Sequence, residues 1–129
     1  MNTPAPCPCG SGRTYAACCG CWHAGELHLQ APDAEALMRS RYSAYVLGLG
    51  EYLRDTWHAS TRPAEPFGFD PALRWQGLEV RRHAQTDADH AVVEFVARSK
   101  LGGRAQRLHE TSRFVREAGR WLYIDGELK

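Results

Sequence analysis

The chain has 129 residues, with 16 Lys and Arg against 15 Asp and Glu, so its formal net charge is +1. This length suits one domain with a small appendage and excludes two full cores. The balanced charge argues against a protein that mainly coats nucleic acid, which needs a surplus of basic side chains. The sequence lacks the run of roughly 18 to 20 apolar residues that a membrane span needs, and its start is no secretory signal, so we expect a cytoplasmic protein.

All the cysteines of the chain are crowded near its start, and their number is five. A disulfide framework joins distant parts of a chain, so this odd-numbered cluster is more typical of a metal site in a reducing compartment. Four thiolates complete the coordination of a tetrahedral zinc ion and leave no open position, so the pattern predicts a structural zinc site. The pattern consists of Cys7 and Cys9, eight further residues, and the pair Cys18 and Cys19.

The residues alone leave one alternative open for the ligands. Cys21 and His23 follow the paired cysteines directly, and either could replace Cys18 or Cys19.

The segment CPCGSGRTYAACC at residues 7–19 resembles a SEC-C motif, the small zinc module also found at the C-terminal end of the SecA translocase. The resemblance implies that Cys7, Cys9, Cys18 and Cys19 are the ligands and that Cys21 is a spare thiol. In SecA the module contacts the chaperone SecB and the ribosome, so the resemblance also implies a docking role on a protein or ribosome partner.

Two helices are expected after a linker at residues 23–32. Asp33 can cap a helix whose apolar residues recur at helical spacing up to Gly48. A second short helix is predicted over Glu51–Trp57. The proline-rich stretch 59–71 that follows is predicted to be irregular, as a flap over part of the molecule.

The apolar period changes to two after residue 72, which predicts four strands. We place them at residues 75–83, 90–100, 104–116 and 120–124, with hairpin turns at Gly102-Gly103 and Ala118-Gly119. Helices followed by an antiparallel meander indicate an α+β domain. A curved sheet wrapped around the helices leaves a cone with an open mouth.

Glu110 is the most informative residue of the third predicted strand, because it falls between Leu108 and Phe114 on the apolar face. A buried acid is either paired or has a raised pKa. The interpretation we favour is a structural ion pair with Arg39 or Arg41. The alternative is a general acid or base at the bottom of a pocket, which Tyr42 and His58 would help to form, with Tyr45 and Trp57 as further wall residues.

A series of basic side chains follows the same strands. They could contact the phosphates of RNA, but such charges are more often the solvated side of a sheet, which is the interpretation we favour. The series comprises Arg98, Lys100, Arg104, Arg107, Arg113 and Arg116.

The whole chain is similar to the YchJ family of small bacterial proteins. The similarity is carried by residues 7–20, 36–46, 52–58, 93–98 and 109–126. It implies that residues 1–22 are the zinc-binding motif and 23–32 a linker. It also implies that residues 33–129 form the cystatin-like cone of the nuclear transport factor two-like superfamily.

Two functions from different classes follow from these observations. The first is a zinc-stabilised adaptor. In it the zinc-binding motif of residues 1–22, the knuckle, docks on a protein or ribosome partner, and the cone supports dimerisation or binds a small ligand. The second is an enzyme or a ligand-binding protein that uses the cone pocket, with Glu110 as acid or base. The chain has no nucleophile elbow and no glycine loop for phosphate, so we expect the adaptor.

Overall fold

The structure is a computed structural model that describes residues 5–65 and 67–129. Residues 1–4 of the predicted knuckle and Pro66 of the predicted irregular segment lie outside the described residues. Within the described residues, no helix is long and apolar enough to cross a membrane. The described elements are α1 (Gly20–His23), α2 (Ala34–Leu47), α3 (Gly50–Asp55), β1 (Leu73–Asp87), β2 (His90–Leu101), β3 (Arg104–Glu117) and β4 (Arg120–Leu128).

Helix α2 begins and ends where the sequence predicts. The Asp33 side chain accepts a hydrogen bond from the Ala36 N–H at 2.7 Å, which caps the first turn. Gly48 follows the last turn with φ of 72°, a left-handed conformation that glycine adopts without strain.

Helix α3 is shorter than predicted and ends at Asp55 rather than at Trp57. The backbone beyond it pairs with β4 instead of continuing the helix. The Tyr123 N–H donates to the Thr56 carbonyl, and the His58 N–H donates to the Tyr123 carbonyl, both at 2.8 Å. The prediction of a helix through residue 57 was therefore wrong, because strand-like pairing replaces the last helical turn.

The four strands form one antiparallel sheet in the order β1-β2-β3-β4, which confirms the predicted meander and the α+β class. Strand β1 covers 73–87 and β4 covers 120–128, so both are longer than predicted. Three register shifts along β1 and one between β3 and β4 interrupt the alternation that sequence patterns detect. Such bulges also bend strands, which lets the sheet curve around α2.

The core lies between α2 and the concave face of this sheet. Leu37 of α2 and Val93 and Phe114 of the sheet are at most 1% exposed. The same continuous cluster of buried residues includes Cys7 and Cys9 of the N-terminal segment. The knuckle and the cone therefore share one core, while the exact domain boundaries stay a prediction.

Candidate metal centre and cone cavity

Four buried thiols from the N-terminal segment converge on one point. Their Sγ atoms all lie within 4.8 Å of one another, and Cys9 Sγ and Cys18 Sγ are 3.6 Å apart. A tetrahedral zinc ion with Zn–S bonds of about 2.3 Å separates its ligands by about 3.8 Å. The thiols of Cys7, Cys9, Cys18 and Cys19 could therefore hold a metal ion.

The local backbone makes this convergence possible. The Cys7 N–H donates to the Arg13 carbonyl at 3.0 Å, and this bond closes the loop that carries Cys9. Gly10 and Gly12 adopt φ of 78° and 86° within that loop. A side chain at Gly20 would overlap the Tyr15 carbonyl, so glycine is needed directly after the second cysteine pair.

The surroundings of the thiols favour a thiolate at Cys9. Hydrogen bonds from Cys19 and from Ser11 lower the pKa of Cys9 to about 4, although burial opposes this shift. The same contact with Cys9, together with burial, raises the pKa of Cys19. One negative charge is thus shared by the pair, and a bound cation would release the remaining proton.

The knuckle is packed directly against one face of α2. Arg39 Nη1 donates to the Cys9 carbonyl at 3.0 Å, and Ser43 Oγ lies 3.6 Å from Cys7 Sγ. His23 Nε2 is 2.8 Å from the Ser40 carbonyl. The segment that carries the thiol cluster is therefore held against the helix by the side chains of Arg39 and Ser43 and by the Ser40 carbonyl, which are spaced three and four residues apart.

Cys21 and His23 are separated from the thiol cluster. Cys21 Sγ donates to the Ala16 carbonyl at 3.2 Å. Both ring nitrogens of His23 are engaged, since Nδ1 pairs with the Tyr15 hydroxyl and Nε2 with Ser40. His23 thus links the knuckle to α2, a role that no spacing rule indicates.

A second feature lies on the other face of α2, where the cone forms a partly open cavity of about 160 Å³. Its walls are largely aromatic, and its polar groups are few. Its lining includes Arg41, Tyr42, Trp57, Ala97, Glu110 and Tyr123.

Arg41 is the central polar residue of this cavity, and it is only 6% exposed. Its Nη1 donates to the Leu53 carbonyl at 2.9 Å and to Thr56 Oγ1 at 2.7 Å. The guanidinium carbon lies 5.0 Å from the ring centre of Trp57 and 4.7 Å from that of Tyr123, which are cation–π distances. Burial lowers the pKa of Arg41, but a guanidinium stays charged at neutral pH.

Glu110 lines the same cavity, as its place on the apolar face of the strand predicts. Its Oε2 accepts from Ser112 Oγ at 2.5 Å and from the Tyr123 hydroxyl at 3.5 Å. Burial, together with the nearby Glu110 carboxylate, raises the pKa of Tyr123 to about 12, so this hydroxyl stays a donor. A side chain at Gly126 would overlap the carboxylate.

The favoured ion pair of Glu110 is not formed. Among the described residues, Glu110 has no basic group within 4.0 Å. Arg39 instead pairs with Glu35 at 3.1 Å, and Arg41 is directed at the C-terminal end of α3. The prediction of a pair with either arginine was wrong, because both guanidinium groups are held by other acceptors.

The other predicted pocket residues lie in different places. Tyr42 and Tyr45 line the cavity from α2, and Trp57 closes it from the segment after α3. His58 points away and is 2.7 Å from Glu117 Oε1. His58 is therefore not brought together with Glu110.

Half of the basic series on the strands is paired with acids at the surface. Arg113 makes two hydrogen bonds to Asp125, and Arg116 lies 3.3 Å from Asp89. Arg98 is 3.8 Å from Glu79. These contacts support the interpretation as a solvated face.

Comparison with known proteins now places the chain. Residues 33–126 match the family model of the YchJ middle NTF2-like domain, and residues 4–20 match the SEC-C motif. The chain belongs to the YchJ family. These two matches confirm the resemblances to the SEC-C motif and to the YchJ family that the sequence shows.

Relatives and solved structures of this family cover almost the whole chain. A UPF0225 protein of Methylibium petroleiphilum is 63% identical over 98% of this chain and 91% of its own length. A UPF0225 protein of Bordetella parapertussis is 56% identical over 99% and 96%. The solution structure of a SEC-C motif containing protein from Rhodopseudomonas palustris is similar with a TM-score of 0.79, at 36% identity over 98% of both chains.

A second structure, the crystal structure of a SEC-C motif containing protein from Psychrobacter arcticus, has a TM-score of 0.76 at 30% identity. It covers 98% of this chain and 83% of its own. These neighbours support the fold of this YchJ-family chain: a cysteine-rich N-terminal motif and a cone built on a four-stranded sheet.

Proposed function

We propose that this YchJ-family chain binds a small ligand in its cone cavity, and that a structural zinc ion in the knuckle supports the wall of that cavity. The observation that carries this proposal is that α2 contacts the knuckle on one face and lines the cavity on the other. Arg39, Ser40 and Ser43 contact the knuckle, while Arg41 and Tyr42 line the cavity. A metal that orders the knuckle therefore also fixes the helix that shapes the ligand site.

Zinc is the metal we propose, bound by Cys7, Cys9, Cys18 and Cys19 in a site without an open position. Four reduced thiols in a buried cluster suit a reducing compartment, and we therefore place the protein in the cytoplasm. The test is metal content by native mass spectrometry, for which Cys21 offers a matched control. Cys18→Ser should lose the bound zinc, whereas Cys21→Ser should keep one ion per chain. Loss of zinc from both variants would contradict this ligand set.

Ligand binding in the cavity is tested with phenol as a neutral, single-ring probe followed by NMR. Phenol should shift the resonances of residues that line the cavity. Ala97 lies in the cavity wall and is 2% exposed, so Ala97→Met should fill the space and weaken phenol binding at least about tenfold. Ala105→Met, at an exposed position of β3, is the matched control and should bind as the wild type does. The proposal fails if phenol leaves the cavity resonances unchanged.

Adaptor docking is a second candidate function, supported by the exposed rim of the knuckle. The side of the knuckle toward α2 is buried, whereas Gly12, Arg13, Ala16 and Ala17 are exposed. Arg13→Glu should reduce co-sedimentation with ribosomes or capture of a protein partner, while the thiol cluster stays intact. Arg54→Glu, at an exposed position of α3, is the control. Equal sedimentation of both variants and the wild type would remove this candidate.

A further inference from the structure

We infer that the cone cavity binds a small organic acid of single-ring size that also carries a hydrogen-bond donor. The carboxylate of this ligand would meet Arg41, and its donor would meet Glu110. This inference rests on the proposed function, because it names the class of ligand for the same cavity.

The buried positive charge of Arg41 indicates the acidic group of the ligand. No acidic oxygen lies within 4.0 Å of this guanidinium among residues 5–65 and 67–129. Its hydrogen bonds come from Nη1 to Leu53 and Thr56, both neutral acceptors, although a guanidinium has five N–H donors. Buried charges in proteins are normally paired, so a cation that lines a cavity indicates an anionic ligand.

Glu110 offers a carboxylate oxygen that could accept a hydrogen bond from the ligand. The hydrogen bonds from Ser112 and Tyr123 both reach Oε2, and within the described part of the chain Oε1 accepts none. An ionised carboxylate is an acceptor only, so this oxygen suits a hydroxyl or amino group of a ligand. A second carboxylate placed there would be repelled, which argues against a dicarboxylic acid.

The positions of Arg41 and Glu110 relative to Tyr123 indicate how the two polar groups of the ligand are arranged. The Tyr123 ring faces the Arg41 guanidinium, while the Tyr123 hydroxyl points to Glu110. The cation therefore lies over the ring face of this tyrosine, and the carboxylate lies next to its hydroxyl. A ligand that reaches both needs its acidic group and its donor separated by a short spacer.

The walls and the volume of the cavity indicate which spacer fits. Trp57, Trp75, Phe95 and Phe114 supply apolar aromatic walls of the cavity. The cavity volume of about 160 Å³ is close to that of an engineered cavity of about 150 Å³ that takes up benzene. One aromatic ring or an aliphatic chain of similar bulk therefore fits within this volume.

A competing explanation is that a water molecule bridges Arg41 and Glu110, so that the two charges neutralise each other. In that case a neutral ring would bind as well as an acid. The experiment therefore compares ligands that share one shape but differ in charge or in donor.

The test uses the full zinc-loaded chain and four probes, 4-hydroxybenzoate, 4-hydroxybenzamide, benzoate and phenol, with affinities from NMR titration. Hydrogen bonds to charged groups are the strong ones, so 4-hydroxybenzoate should bind at least about tenfold more tightly than 4-hydroxybenzamide. It should also bind several-fold more tightly than benzoate, which lacks the donor. Equal affinity of the acid and the amide overturns the inference.

Two variants assign the effect to the two residues. Glu110→Gln replaces a charged acceptor by a neutral one, so the advantage of 4-hydroxybenzoate over benzoate should fall at least about threefold. Arg41→Gln should abolish the advantage of the acid over the amide. If Arg41→Gln does not fold, as its circular dichroism spectrum would show, the probe series on the wild type decides alone.

The outcomes separate this inference from the proposed function. If phenol binds in the cavity but the acid gains nothing over the amide, the ligand class is wrong and the ligand-binding function stands. If no probe shifts the cavity resonances, both fail. If the acid is preferred and the preference persists in Arg41→Gln, the assignment to Arg41 is overturned.

Discussion

The knuckle and the cone bury different kinds of atoms. In the knuckle the buried side chains are Cys7, Cys9, Cys18 and Cys19, and the segment has almost no aliphatic residue. The cone instead buries side chains such as Leu37 and Phe114, the usual source of stability. The cone can therefore hold its shape by apolar burial, whereas we expect the knuckle to depend on a bound ion.

Helix α2 connects these two kinds of stability. The residues that contact the knuckle and those that line the cavity alternate along one helix, because positions three or four apart share a face. We therefore expect a change on the knuckle side to reach the cavity through α2.

The largest expected effect is that of metal removal. Zinc binding contributes on the order of 10 kcal/mol to the folding of isolated zinc modules, so chelation should unfold the knuckle while much of the sheet persists. Hydrogen exchange at residues 5–23 should then accelerate at least about a hundredfold. The amides in the middle of β2 and β3 should keep most of their protection, since apolar burial stabilises them.

Metal content must be measured in the same samples, with zinc restored as the control. Restored zinc should return the slow exchange of residues 5–23. A fully reduced, metal-free sample with unchanged protection there would show that packing on α2, and not the ion, orders the knuckle.

A medium effect is expected when the contact between α2 and the knuckle is weakened. Arg39→Ala removes the hydrogen bond to the Cys9 carbonyl and the pair with Glu35. The free energy of unfolding should fall by about 1 to 3 kcal/mol, mostly from the carbonyl left without its donor, because exposed ion pairs contribute little. Denaturant titration measures the loss, and transfer of zinc to a colorimetric chelator should become faster.

The matched control for this change is Arg54→Ala. Arg54 is exposed on α3, so its removal should change stability by less than about 0.5 kcal/mol. If the two variants lose equal stability, Arg39 does not link the knuckle to the helix.

Many features of the knuckle and of the cone could be predicted from the sequence, because each region carries a local sequence signal. The cysteine spacing indicates the thiol cluster, Asp33 and Gly48 mark the ends of α2, and the alternation around Glu110 indicates the concave face of the sheet. Such signals depend on neighbours within a few residues, which a sequence shows directly.

The contacts between the regions could not be predicted in the same way. Arg41 resembles any helical arginine in the sequence, and its burial between Trp57 and Tyr123 depends on the pairing of distant strands. The bond between His23 and Ser40 likewise depends on how the knuckle docks. The sequence places Arg41 at helical spacing with Leu37 and Tyr45, and the partner predicted for it, Glu110, was wrong.

The smallest expected effect is the pH dependence of that docking through His23. Burial lowers the pKa of His23 below its ordinary value of 6.5, so the folded chain favours the neutral ring. As the pH falls below 6.5, the unfolded chain takes up this proton first, and the free energy of unfolding therefore decreases. NMR titration of the zinc-loaded protein should give a His23 pKa below 6.5. His23→Gln has no titrating ring at this position, so it should lose less stability than the wild type when the pH falls from about 7.5 to about 5.5. Metal release affects both chains alike and does not account for this difference. A His23 pKa at or above 6.5 would show that the ring is hydrated rather than enclosed between the knuckle and α2.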